Sequence, residues 1–168
     1  MNQRFLTACS LLVVCTTLCL VSVPAASQEL VREKLKSDVG IELLGKALLY
    51  SFNYQYTPVK ELGIEVGLGA LGGGTGDDNV TVIFIPVGGK FYIIPKDGSL
   101  YLAAGGVFLN ASTQSGPFDD NSSTSYGYAG LGFEFRSESG FLFRGSAYGL
   151  IVGGGFWIWP GLTVGYAF

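Results

Sequence analysis

The sequence predicts an all-β protein: an eight-stranded antiparallel up-and-down transmembrane β-barrel after a cleaved signal peptide. Three observations predict it. Segments of about ten residues alternate apolar with small or polar side chains, and turn signals separate them. Gly occurs 26 times in 168 residues, too often for a helical bundle, where each interior Gly costs roughly 0.5–1 kcal/mol relative to Ala. The chain closes on GLTVGYAF, with Leu162, Val164, Tyr166 and Phe168 on one parity and Gly161, Thr163, Gly165 and Ala167 on the other. The alternation therefore runs to the last residue.

The opening stretch, MNQRFLTACSLLVVCTTLCLVSVPAAS, combines one early positive charge (Arg4), an apolar middle and the small residues Ala25, Ala26 and Ser27. It reads as a secretory signal peptide over 1–27, in preference to a retained anchor. A lipoprotein cut at Cys9 does not fit, because the apolar run follows that cysteine. All three cysteines (Cys9, Cys15, Cys19) fall in this stretch, so the mature chain is expected to form no disulfide. The net charge of −3 gives no electrostatic footprint for nucleic acid.

Residues 28–38, QELVREKLKSD, form a charged periplasmic lead-in, and 39–168 form the barrel. Strands are expected at 39–44, 47–56, 62–71, 80–94, 99–111, 125–136 and 141–151, with the segment after VGGGFWIWP as the eighth. Strand one is short against the ~9–11 residues a spanning strand needs, so it extends back toward Lys36. The connections are read as alternating in length. Those after strands two, four and six are tight, and those after three, five and seven are longer polar loops, including GGGTGDDN (72–79) and STQSGPFDDNSST (112–124).

Each strand then shows two faces. Leu62, Ile64, Val66 and Leu68 oppose Gly63, Glu65, Gly67 and Gly69; Tyr50, Phe52, Tyr54 and Tyr56 oppose Ser51, Asn53 and Gln55. A soluble sandwich also alternates, with its polar face in water. Here that face is mostly Gly, Ser and Asn with a lone charge per strand, which suits the crowded inside of a narrow barrel. Parity places Glu42, Glu65, Lys90, Glu134, Arg136 and Arg144 inside, three acids and three bases. The turn Glu138-Ser139-Gly140, read as a three-residue hairpin loop with a left-handed Gly, sets Glu134 opposite Arg144. Balanced interior charge predicts an ion-paired plug in preference to an open conduit.

With these residues in place, the chain resembles the small outer-membrane barrels of the OmpA/OmpX type over residues 39–168. LTVGYAF resembles the C-terminal signal read by barrel-assembly machinery, and LLYSFNYQY resembles the second strand of a group of small bacterial barrels. The resemblance implies a monomer in a bacterial outer membrane, with lipid and the assembly machinery as partners and Leu162, Val164, Tyr166 and Phe168 as the insertion signal. Unlike OmpA itself, the chain is expected to carry no C-terminal peptidoglycan domain. Tyr54, Tyr56, Tyr101, Trp157 and Trp159 read as aromatic girdles, in preference to a sugar platform on the two tryptophans.

No catalytic residue, cofactor or metal is expected. The sequence has no histidine, and small-barrel enzymes resemble one another in using a His as base. GDDN (76–79) and FDDN (118–121) offer hard oxygen ligands, but read as solvated turns. GGGTG (72–76) lacks the lysine and helix of a phosphate loop. Asn79, Asn110 and Asn121 begin glycosylation-type triplets of no expected consequence. The expected role is structural or surface-interacting, through acidic loops carrying Asp77, Asp78, Asp119 and Asp120. The alternative is a narrow channel for small solutes. The sequence names no extracellular partner.

Overall fold

The structure, a computed structural model, describes residues 30–75, 78–94, 96–115 and 118–168; the side chains of 74, 75, 78, 79, 113–115 and 118–120 are not described. The signal peptide expected over 1–27 and the loop residue Asp77 lie outside the described residues. The elements are α1 (Val31–Lys34), β1 (Ser37–Leu44), a 3-10 turn (Gly45–Ala47), β2 (Tyr50–Val59), β3 (Leu62–Thr75), β4 (Asp78–Tyr92), β5 (Gly98–Ser115), β6 (Phe118–Arg136), β7 (Phe141–Val152) and β8 (Gly155–Ala167).

Every strand pairs antiparallel with its sequence neighbours, and β1 pairs with β8 from Asp38↔Ala167 to Leu44↔Gly161, which closes the barrel. Closure leaves no sheet edge in the wall, the condition a bilayer imposes on strands. The faces divide as the alternation demands. Phe52, Tyr54, Tyr56, Ile64, Val66 and Leu68 are exposed on the outer surface, while Ser51, Asn53, Gln55 and Glu65 are buried inside. An exterior of large apolar side chains around a charged interior is the reverse of a soluble domain.

The polar connections expected after strands three and five are instead paired strand. β3 and β4 stay in register to Thr75↔Asp78, and β5 and β6 to Ser115↔Phe118. Each connection then spans two residues, 76–77 and 116–117, so the expected alternation in loop length does not hold. Since β4 and β5 pair throughout, out to Asp78↔Ser115, the two hairpins form one four-stranded sheet. It outruns the barrel at the end away from the chain termini: β2 pairs β3 only up to Phe52↔Leu68, and β7 pairs β6 only from Gly127 onward. At about 3.3 Å per residue, the excess is roughly 15–30 Å.

Other departures have local causes. β2 starts at Tyr50, three residues later than expected, because Gly45–Ala47 turns into the barrel. β8 starts at Gly155 and runs through Pro160. β1 pairs β8 only from Gly161, so Pro160 lies beside an open edge, where a residue lacking an N–H is tolerated. Gly153 and Gly154 adopt φ of 57° and 82°, the two positive φ values of a two-residue hairpin turn. The SESG turn is the three-residue loop expected, with Gly140 at φ 89° and the Ser137 N–H donating to the Phe141 carbonyl at 2.9 Å. The β3–β4 ladder is interrupted at Gly67–Leu68, opposite Ile85 and Pro86.

Glycine matters where backbones meet inside the wall. A Cβ on Gly105 would come within 2.6 Å of the Gly88 Cα and closer still to the Val87 carbonyl, whereas one on Gly145 would meet nothing within 4 Å. Gly105→Ala is therefore expected to cost about 1–3 kcal/mol, the range for overpacking. Gly145→Ala is expected to stay within about 0.5 kcal/mol. Urea unfolding of the two refolded variants, followed by tryptophan fluorescence, compares them directly.

Candidate functional site

The interior is filled by charge. Among the described residues, the buried charged side chains are Arg32, Asp38, Glu42, Lys46, Glu65, Lys90, Glu134, Arg136 and Arg144. All six interior residues expected from parity are there, and Asp38, Lys46 and Arg32 are additional. Continuing the period of two back from Glu42 through Gly40 reaches Asp38, so that signal was present. Lys46 sits in a turn and Arg32 on a one-turn helix, where strand parity says nothing.

Two clusters stack along the barrel. At the termini end, Glu134 is the hub. It accepts from Arg144 Nε at 2.6 Å, Tyr92 Oη at 2.7 Å and Arg32 Nη2 at 2.8 Å, and lies 3.4 Å from Arg136 Nη2. Glu134 and Arg144 are directly opposed across β6 and β7. Asp38 Oδ2 takes both Arg136 Nη2 at 2.6 Å and Arg144 Nη2 at 2.7 Å. Arg136 also donates Nη1 to the Leu35 carbonyl at 2.5 Å, which holds the lead-in against the barrel mouth.

Toward the other end, Lys46 is the centre. Its Nζ lies 2.7 Å from Glu42 Oε2 and 2.6 Å from Glu65 Oε1. Lys90 Nζ bonds Glu65 Oε2 at 2.6 Å and Gln55 Oε1 at 3.0 Å. The Tyr148 hydroxyl donates to Glu42 Oε1 at 2.9 Å, and the Tyr126 hydroxyl donates to the Lys46 carbonyl. The turn that carries Lys46 is flanked by Leu44 and Leu48 at φ 59° and 72°. Positive φ at a leucine is strained, and such strain persists only where its surroundings impose it. Here two carboxylates draw the lysine inward.

The aromatic girdle needs correction. Tyr54 and Tyr56 do face outward, but Tyr101 is 1% exposed, and its hydroxyl pairs with Ser146 Oγ at 2.6 Å inside the barrel. Its parity partners on β5 are the buried Ala103 and Val107, while Leu100 and Leu102 face out. Trp159 packs on the interior cluster and donates Nε1 to the Leu48 carbonyl at 3.1 Å, roofing the 3-10 turn. Trp157 is exposed beyond that roof. Leu162, Val164 and Tyr166 form the outer face of β8, and Phe168 is exposed beside them. No group of three or more metal-ligating side chains occurs among the described residues.

Fold and interior together define a small eight-stranded barrel with the fold of outer-membrane barrels of the OmpA/OmpX type. The N-terminal β-barrel domain of Pseudomonas aeruginosa OprF matches at a TM-score of 0.53 and 15% identity, over 79% of this chain and 95% of that one. Ail, the attachment invasion locus protein of Yersinia pestis, solved in complex with the heparin analogue sucrose octasulfate, matches at 0.54 and 17%, over 79% and 94%. No family model matches the sequence, and no curated protein matches it.

Proposed function

We propose that this chain is exported by a signal peptide cut near residues 25–27 and resides as a monomer in a bacterial outer membrane. There it serves a structural or surface-interaction role with a closed interior. The observation that carries this reading is the paired network running through the barrel, with Arg32 entering from one end and Lys46 from the other. Eight-stranded barrels are narrow enough for side chains to fill, and here the filling is charged and extensively ion-paired.

The part available to a partner is the projecting sheet. Among the described residues, its β3 edge beyond Ala70 (71–75) and its β6 edge (118–126) pair with no further strand, and free edges and open faces are where other molecules dock. Residues 69–83 and 108–126 contain Asp77, Asp78, Asp119 and Asp120 and no Lys or Arg. Neutral or basic partners suit such a surface; a polyanion of the kind bound to Ail does not. A chain without histidine offers no neutral-pH base, so catalysis is not proposed.

The experiment is single-channel recording of the refolded, heat-modifiable protein in a planar bilayer. A silent bilayer with the barrel inserted is expected. Steady openings whose conductance changes in Glu134→Gln would make it a narrow channel instead. One observation favours that second reading: Arg32 Nε and Nη1, Asp38 Oδ1, Arg136 Nε and Arg144 Nη1 are buried without a protein hydrogen-bond partner, as sites for interior water would be.

The outward row Leu162, Val164, Tyr166 and Phe168 is proposed as the assembly signal. Deleting Phe168 should lower the heat-modifiable fraction in membranes containing the assembly machinery several-fold, while spontaneous refolding into detergent changes much less. Equal loss in both would assign Phe168 to stability alone.

A further inference from the structure

Arg32 is a charge the barrel does not need for neutrality. The buried charges on the strands and the 3-10 turn, among the described residues, are Asp38, Glu42, Glu65 and Glu134 against Lys46, Lys90, Arg136 and Arg144, four of each. Arg32 adds a fifth cation, delivered on a four-residue helix with no side-chain cap.

Its seat is organised by other residues. Arg144 and Tyr92 orient the Glu134 carboxylate. Gln55 Nε2 donates to the Tyr92 hydroxyl at 2.8 Å. The Lys96 N–H donates to Ser99 Oγ at 3.0 Å, and the Ser99 hydroxyl returns a bond to the Lys96 carbonyl. Into this frame the Arg32 guanidinium lies 3.6 Å above the Tyr92 ring centre, with Nη2 2.9 Å from Ser99 Oγ and 2.8 Å from Glu134 Oε1. A carboxylate, a hydroxyl and an aromatic face are the elements that select a guanidinium, by charge-assisted hydrogen bonding and cation–π attraction together.

The occupant fits only in part. Nε and Nη1 of Arg32 find no protein partner, so one of its three nitrogens makes all the hydrogen bonds. Beside it a polar cleft of about 480 Å³ opens between the lead-in and the β2–β3 turn, lined among others by Arg32, Glu33, Lys36, Thr57 and Lys60. Arg32 therefore stands between this cleft and the buried Tyr92, Ser99 and Glu134, so that its removal would expose the seat from the termini end of the barrel.

We propose that this mouth is a guanidinium-binding site, that Arg32 is its tethered and displaceable occupant, and that small guanidinium-bearing solutes take the same seat from the termini end of the barrel. The inference goes beyond the surface role and does not rest on it. A tether of a few residues supplies an effective concentration on the order of millimolar, so a free solute competes weakly against Arg32 and binds openly once Arg32 is gone.

The test uses the refolded full barrel carrying Arg32→Ala, with ethylguanidinium chloride as probe and ethylammonium chloride and sodium chloride at matched ionic strength as controls. The readout is the midpoint temperature of the heat-modifiable gel shift, since a ligand bound only by the folded state raises it. Expected is a saturable rise with ethylguanidinium in Arg32→Ala, a smaller one with ethylammonium, and in the unsubstituted barrel a rise that appears only at several-fold higher ethylguanidinium concentration. Adding Ser99→Ala should move half-saturation several-fold higher, and adding Glu134→Gln should abolish the rise. Should the Glu134→Gln combination fail to fold, the Ser99→Ala combination carries the comparison. No rise in Arg32→Ala, an equal rise with all three salts, or an equal rise in the unsubstituted barrel overturns the proposal.

Discussion

A Glu134→Gln barrel is expected to lose about 3–5 kcal/mol of folding stability, the range for breaking a buried ion pair from one side. Glu134 is 0% exposed and lies within 3.4 Å of three arginines: Arg32, Arg136 and Arg144. Removing its charge leaves those guanidiniums with Asp38 as their nearby acid, and Asp38 is already shared by two of them. Glutamine keeps the shape, so the loss reports charge and not a cavity. Its NH₂ would also point a donor at donors, and that mismatch adds to the cost. Urea unfolding of the refolded protein measures the difference. Glu138→Gln, in the exposed turn beyond β6, serves as the comparison and should stay within about 0.5 kcal/mol. A Glu134→Gln cost below about 1 kcal/mol would mean that water screens the cluster as it does at a surface.

Lys46→Met is expected to be comparably damaging and to open the far end of the barrel. Lys46 neutralises Glu42 and shares Glu65 with Lys90. Without it, Glu42 keeps the Tyr148 hydroxyl at 2.9 Å and a long bond from Asn53 Nδ2 at 3.5 Å, and no cation. A buried carboxylate in that state costs several kcal/mol. The strained φ of Leu44 and Leu48 then loses its ionic restraint and keeps only the bonds from Trp159 and Tyr126, so the turn should relax outward. The expected result is a drop of about 3–5 kcal/mol in stability together with conductance above that of the unsubstituted barrel. Lys46→Met/Glu42→Gln should recover part of the stability, because the orphaned charge is removed along with its partner. Loss of stability with continued silence would show that the turn stays seated through Trp159 and Tyr126 alone.

The wall and the strand-borne charges were legible in the sequence for one physical reason: a strand has a period of two, and the outer face of this barrel is made of large apolar side chains. That rule put Glu65, Lys90, Glu134, Arg136 and Arg144 on the inner face, and the SESG turn fixed which of them meet. It failed where its premises do. Residues 112–115 and 118–124 lie beyond the apolar belt, so no apolar alternation marks them, and their Ser, Asn and Asp content imitates a loop. What holds them in a sheet is the neighbouring strand, and composition does not report that. Tyr101 reads as a girdle residue by type alone, whereas counting from Leu100 and Leu102, both exposed, sends it inside. Lys46 and Arg32 reach the interior from a turn and a helix, positions set by tertiary contact and by no local period.

The seam between β1 and β8 closes with a reciprocal pair of backbone bonds, Ser37 N–H to the Phe168 carbonyl at 3.0 Å and Phe168 N–H to the Ser37 carbonyl at 2.7 Å. The ladder that closes the barrel runs from Leu44↔Gly161 out to Ser37 and Phe168, and its contacts are among the least local in the chain, the slow kind to form. Asp38 stands at that seam, yet the arginines it neutralises come from β6 and β7. Those bonds form only when the ends meet in the right alignment. A slip of two residues keeps the apolar face outside, so lipid alone would not reject it. It would, however, put Gly40 or Lys36 where Asp38 belongs, and leave Arg136 and Arg144 facing no acid from β1. The ion pairs act as a register check on assembly, distinguishing a correctly joined barrel from one that is merely closed.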